Sequence, residues 1–238
     1  MKVIVFGGTG MVGQGVLREC VLDPEVESAL SVVRRLSAPS LGRKSDKVGE
    51  VVPEDFYNLS KVEPRFAGYD ACFFCLGVSS LGMKEGDYRR VTFDLTTVAA
   101  RALLRQNPTT ERGGMTFVYV SGAGTDSTER GRVMWARVKG ATENALLEMG
   151  FKSVYLFRPG GIVPLNGIVS KTRLYRGIYA AMKPVLPLLL RWFPQYVTTT
   201  EQVGRAMLQV AKHGFPQPVL EAWDIARVGS GGVGQGSR

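Results

Sequence analysis

Apolar residues in this chain come in short unbroken runs, separated by longer stretches where they recur every three or four positions. The unbroken runs are Lys2–Phe6 (with Val3-Ile4-Val5-Phe6 as its core), Ala29–Val33, Val48–Val52, Asp70–Leu76, Met115–Val120 and Ser153–Phe157. Runs of this length and composition suit strands buried on both faces of a parallel sheet. Between them, Gly10–Leu22, Asp87–Gln106 and Arg132–Met149 have helical spacing. In the second of these, Val91, Leu95, Val98, Ala102 and Leu103 share one side, and Asn107-Pro108 ends it. Gly150 ends the third. Strands alternating with helices at this rhythm predict an α/β fold: a Rossmann-type, doubly wound parallel sheet with right-handed crossovers.

After Gly161 the pattern changes. Lys171–Trp192 is apolar, carries five basic residues and is broken by Pro184 and Pro187. It reads as a small helical lobe on the substrate side, or as an interfacial helix in peripheral contact with a membrane. Thr198-Thr199-Thr200-Glu201-Gln202 has capping-box spacing in two frames, Thr198 to Glu201 and Thr199 to Gln202, and predicts a helix running to His213. Pro218–Ala222 reads as a last strand and Gly229–Arg238 as a disordered, glycine-rich tail. The expected organisation is one domain over 1–228, with a core of 1–161 and a substrate-side segment of 162–228.

The first helix is entered through Gly7-Gly8-Thr9-Gly10-Met11-Val12-Gly13, which fits both GxxGxxG and GxGxxG. Either frame supplies a tight turn and leaves no side chain where a pyrophosphate approaches, and the helix then points unpaired N–H groups at the phosphates. The motif follows one strand and leads to a second, the context that gives it meaning. The second strand ends in Arg34-Arg35 rather than an acidic residue; Asp23, Glu25 and Glu27 all precede the strand. A guanidinium there suits a 2′-phosphate, so NADP(H) is expected over NAD(H); the alternative is plain surface charge. Gly7–Gly13, Arg34, Asp55, Leu76-Gly77, Ser121 and Pro159-Gly160 all fall at predicted carboxyl ends of strands, where open parallel sheets bind ligands.

Composition adds mainly exclusions. Thirty Lys and Arg against 21 Asp and Glu give a net charge of +9, but the cations are scattered, in small clusters such as Arg43-Lys44, so no nucleic-acid partner is expected. Cys20, Cys72 and Cys75 make no disulfide framework. Cys72 and Cys75 spell CxxC within a strand, where residues three apart face opposite ways, so core packing is expected rather than redox or metal chemistry. With His213 the single histidine, neither a metal site nor a Ser-His-Asp triad is expected. The first residues already read as a core strand, so no signal peptide is expected and a cytoplasmic location is the default.

These residues resemble the short-chain dehydrogenase/reductase superfamily. The likeness is strongest to its atypical and extended NAD(P)-binding branch, the epimerase-like proteins and relatives of the Tat-interacting-protein oxidoreductase. It covers residues 1 to about 161, and more loosely reaches Val228. Its carriers are Gly7–Gly13, Asp55-Phe56, Val118-Tyr119-Val120-Ser121-Gly122 and Arg158-Pro159-Gly160. The resemblance implies that Gly7, Thr9, Gly10, Met11 and Val12 hold the pyrophosphate, and that Arg34, with Arg35 beside it, holds the 2′-phosphate. Asp55 and Phe56 would flank the adenine, and Leu76-Gly77 would line the ribose and pyrophosphate. Ser121 would touch substrate near the nicotinamide, whose face Pro159 and Ile162 would cover.

The family pairs a catalytic tyrosine with a lysine four residues later, on one face of a helix. Here the frame is Trp135-Ala136-Arg137-Val138-Lys139: the lysine is present and tryptophan replaces the tyrosine. An indole N–H donates a hydrogen bond but is no acid or base near neutral pH. Two readings follow. In one, Trp135 packs and the proton comes from Tyr88, with Ser121 or water behind it, in an NADP(H)-dependent oxidoreductase acting on a small carbonyl or hydroxyl compound. In the other, the protein binds NADP(H) without turnover, as a sensor or scaffold. Lys139 keeps its ribose contact in both. Nucleotide-sugar epimerase chemistry is a third reading. The expected partners are a small-molecule substrate and a second copy in a homodimer.

Overall fold

The computed structural model describes residues 1–36, 45–110, 113–168 and 196–231. Its centre is a seven-stranded sheet, all parallel, in the order β3-β2-β1-β4-β5-β6-β9. The strands are β1 (Lys2–Phe6), β2 (Ser28–Val32), β3 (Val48–Val51), β4 (Ala71–Phe74), β5 (Thr116–Val120), β6 (Ser153–Arg158) and β9 (Val219–Glu221). A separate parallel pair, β7 (Gly161–Val163) and β8 (Val197–Thr199), lies beyond β6. The helices are α1 (Met11–Leu22), α2 (Glu85–Arg89), α3 (Leu95–Gln106), α4 (Met134–Leu147), α5 (Thr200–His213) and α6 (Ala222–Gly229).

Alternation along each strand divides the core into two layers. Ile4, Phe6, Cys72, Phe74, Phe117 and Tyr119 face α3 and α4; Val3, Val5, Phe73, Val118 and Phe157 face α1, α5 and α6. Cys72 and Cys75 fall in opposite layers as free thiols, as their spacing predicts. A row of aromatic rings crosses one layer, Phe66–Phe6–Phe74–Phe117–Phe151, with centroids 4.9–6.0 Å apart. It locks β1, β4 and β5 side by side, and these are the strands whose ends carry the glycine bend, Leu76 and Ser121.

Three expectations change. The helix expected over Asp87–Gln106 starts at Glu85 and is interrupted by a π-helical turn, Arg90–Asp94. There the Arg90 carbonyl accepts from both the Leu95 N–H and the Tyr57 hydroxyl, and the Thr92 carbonyl accepts from Thr96 Oγ1. These are tertiary and side-chain demands that no periodicity reveals. Second, the chain after Gly161 adds to the main body rather than to a lobe: the last strand expected over Pro218–Ala222 forms as β9 and joins the sheet, and Val203, Met207, Leu220 and Ile225 share a core layer with Val3 and Val16. Third, Gly229 closes α6 and is not part of a tail. The Lys171–Trp192 stretch, Arg43-Lys44 and residues 232–238 lie outside the described residues.

Candidate dinucleotide-binding site

Because the main sheet is wholly parallel, all its carboxyl ends open on one edge. The strand order reverses beside β1, between β2 and β4. Gly7 turns the chain there with φ 83°, and a Cβ on it would stand 2.8 Å from the Leu76 backbone. The Gly10 N–H donates to the Gly7 carbonyl at 2.8 Å, and a Cβ on Gly13 would run into that same peptide. A Cβ on Gly8 would likewise meet Ser31 Oγ at 2.2 Å, so the glycines of both frames are required by close packing. Gly10 is the N-cap of α1, makes no side-chain capping bond, and is followed by no acidic residue in the first turn. Gly7, Thr9, Gly10, Met11 and Val12 are all partly open to solvent. Beneath Gly8 lies Ser31 Oγ, buried and without a hydrogen-bond partner. An uncapped helix start, bare of side chains and of competing carboxylate, fits a pyrophosphate.

Arg34 and Arg35 follow β2, exposed and without an ion pair to a described residue. Beyond β3, Asp55 closes a small turn by accepting the Tyr57 N–H at 2.8 Å, with Phe56 half-buried beside it. Leu76 and Gly77 line the exit of β4.

Ser121 and Lys139 come together at the end of β5. Ser121 is 8% exposed, and its Oγ donates to the Phe157 carbonyl at 3.1 Å. Lys139 Nζ donates to the Ser121 carbonyl at 2.6 Å and the Val120 carbonyl at 3.3 Å, and stands 5.6 Å from the Tyr119 ring centre. Burial lowers the Lys139 ammonium to about 8, against the opposing pull of Glu143. One turn earlier on α4, the Trp135 indole lies over the Gly122–Gly124 bend, 3.8 Å from where a Cβ on Gly124 would be. Trp135 is therefore a packing surface for the loop that leaves Ser121.

Pro159 is buried, and its carbonyl accepts the Ala123 N–H at 2.9 Å. Ile162 sits on β7, half-buried and paired with Thr198. Tyr88 is not brought into the crevice. It is 2% exposed, hydrogen-bonded to Thr92, and burial raises its phenol above the ordinary range. As a source of a proton it is badly placed, because its side chain alone among those of α2 turns into the core. Sequence reasoning missed the Glu143–Arg158 pair behind Lys139 and the orphaned Ser31 hydroxyl. The one available signal was the four-residue step from Lys139 to Glu143.

No protein-family model matches the chain. It is 26% identical to "Protein HTATIP2" of Rattus norvegicus over 208 residues, 87% of this chain and 79% of that protein. It is 28% identical to "Protein FMP52, mitochondrial" of Saccharomyces cerevisiae over 166 residues, 68% of this chain and 66% of that protein, just under two thirds of its length. Among solved structures, an oxidoreductase of the short chain dehydrogenase/reductase family from Burkholderia thailandensis superposes with TM-score 0.65 at 15% identity, covering 94% of this chain and 92% of that one. This likeness shows the fold: a Rossmann-type α/β architecture of the kind seen in that oxidoreductase. The cytoplasmic location expected from the N-terminus is overturned: the similar proteins from S. cerevisiae, Candida albicans and Eremothecium gossypii are named mitochondrial. A targeting address is read by receptors and leaves no trace in the core pattern from which the default was drawn.

Proposed function

We propose that this protein is an NADP(H)-dependent oxidoreductase acting on a small carbonyl or hydroxyl compound, with Trp135 standing where the resemblance implies a tyrosine. The observation that carries the reading is the pairing of an uncapped, glycine-bent start of α1 with Lys139 and Ser121 at the end of β5 on the same sheet edge. The bound cofactor would supply hydride chemistry. Gly7, Thr9, Gly10, Met11 and Val12 would hold its pyrophosphate and Arg34, flanked by Arg35, the 2′-phosphate. Asp55 and Phe56 would border the adenine, Leu76 and Gly77 the ribose, and Pro159 and Ile162 the nicotinamide.

The remaining steps belong to side chains. Ser121 Oγ, turned from the Phe157 carbonyl, would donate to the substrate oxygen. Lys139, at about 8, lies near the range useful for proton transfer and would release a proton through water to that oxygen. This assigns to Lys139 the part first expected of Tyr88. The names of the FMP52 relatives support a mitochondrial location for this chain, tested by fractionating cells that express it.

The test has two stages: NADPH binding followed by fluorescence, then turnover across aldehydes and ketones. Binding with turnover that falls at least tenfold in Ser121→Ala and in Lys139→Met, and persists in Tyr88→Phe, is the expected result. The burial of Tyr88 and the packing of Trp135 favour a second reading, an NADP(H)-binding sensor or scaffold. Tight binding with no turnover on any substrate would establish that reading instead.

A further inference from the structure

Glu143 is 1% exposed and stands one helical turn beyond Lys139 on α4. A buried carboxylate is costly unless cations and donors surround it. Arg158, the last residue of β6, meets it with both arms of its fork: Nε donates to Oε1 at 3.1 Å, and Nη2 donates to Oε2. The same Nη2 donates to Ser127 Oγ at 2.6 Å, and Nη1 lies 3.5 Å from Glu221 Oε1. Asn144, next on α4, donates to the Ser127 carbonyl at 3.0 Å. Helix α4, strand β6, the loop after Ser121 and the start of α6 are thereby tied at one point. Pro159 follows Arg158 directly, so the tie also fixes the residue whose carbonyl holds Ala123.

Lys139 needs such a restraint. Its ammonium is held by two neutral carbonyls, and Glu143 supplies the negative charge that favours it. The other ionisable groups around it are Tyr119 on β5, Tyr88 from α2 behind Tyr119, Asp126 in the loop packed on α4, and Arg158 through Glu143.

We propose that Glu143 and Arg158 are positioning residues for Lys139: the pair clamps α4 to β6 one helical turn beyond Lys139 and so keeps its ammonium seated at the end of β5. The clamp is a property of the protein alone; its use rests on the reading that Lys139 meets a bound dinucleotide.

The experiment follows the Cε resonance of Lys139 in protein labelled with 13C-lysine, titrated without cofactor and identified by its loss in Lys139→Met. In Glu143→Gln the titration midpoint falls by on the order of one pH unit, the scale for losing a neighbouring opposite charge. In Arg158→Gln it rises, because a nearby positive charge is lost. Simple loosening of the site would move both midpoints upward, toward the ordinary lysine value. Should Glu143→Gln not fold, Glu143→Asp draws the charge back by one methylene and shifts the midpoint in the same direction by less. Midpoints that stay put, or move in the same direction in the two variants, overturn the proposal. If they move oppositely while NADPH affinity is unchanged in both, the clamp holds and the placing of Lys139 beside the dinucleotide falls.

Discussion

Arg34 and Gly7 show how much a single residue decides here. Arg34 is an exposed guanidinium one strand away from the glycine bend, and no described partner occupies it. Arg34→Ala should weaken NADPH binding by about 1.5–3 kcal/mol, roughly ten- to a hundredfold, and leave NADH binding almost unchanged. Equal losses for the two nucleotides in a fluorescence titration would remove the case for the 2′-phosphate. Gly7 is the sharper constraint, since a side chain there meets both a left-handed backbone and the Leu76 main chain at 2.8 Å. Gly7→Ala should cost about 1–3 kcal/mol in urea denaturation and abolish NADPH binding. Both positions were legible in the sequence because they depend on local chemistry: a turn that excludes Cβ, and a charge at a strand end. Tyr88 was misread for the opposite reason. Its position after a loop suggests access, whereas the π-turn that follows α2 and the contact with Thr92 bury it.

At the level of elements, helix boundaries set by side chains were readable and those set by neighbours were not. The Thr199 frame is the one that forms: Thr199 Oγ1 accepts the Gln202 N–H at 3.1 Å, and Gln202 Oε1 accepts the Thr199 N–H at 2.9 Å. Thr199→Ala should therefore destabilise the protein by about 1 kcal/mol, read as a lower urea midpoint, whereas the Glu201 frame has no such bond to lose. The cap matters beyond α5, because β8 ends at Thr199 and holds β7, with Ile162, beside the site. The parallel pairing of β7 with β8 was invisible in the sequence. Three-residue strands carry too little periodicity to separate them from loop, and their partners lie more than thirty residues apart.

At the level of the whole molecule, the sheet edge gathers charge that the chain's net +9 only hints at. The Lys139 ammonium sits at about 8 in the folded protein, below its ordinary 10.5. Between these values the unfolded chain binds more protons than the folded one, so this group makes stability rise with pH across that window. Below about 8 its burial is a standing cost. Urea midpoints measured from pH 7.5 to 9.5 should climb more in the parent protein than in Lys139→Met, and parallel curves would contradict this. An anionic dinucleotide beside Lys139 raises its proton affinity, so NADPH binding at pH 8.5–9 should take up protons. Calorimetry in buffers of different ionisation enthalpy measures that uptake, which Lys139→Met should lose.

The sequence by itself determined the parallel α/β order, the strands of the main sheet to within a residue or two, the glycine bend, the arginines after β2 and the Trp135–Lys139 step. Each depends on periodicity, backbone sterics or spacing along one element, all of which act between near neighbours in the chain. Tertiary structure alone decided that Tyr88 is core and Trp135 a packing surface, that α6 completes the body, and that Glu143 answers Arg158 behind Lys139. Those outcomes depend on which distant side chains share a buried volume, and that is settled only when the sheet has assembled and burial makes every unpaired charge and hydroxyl costly.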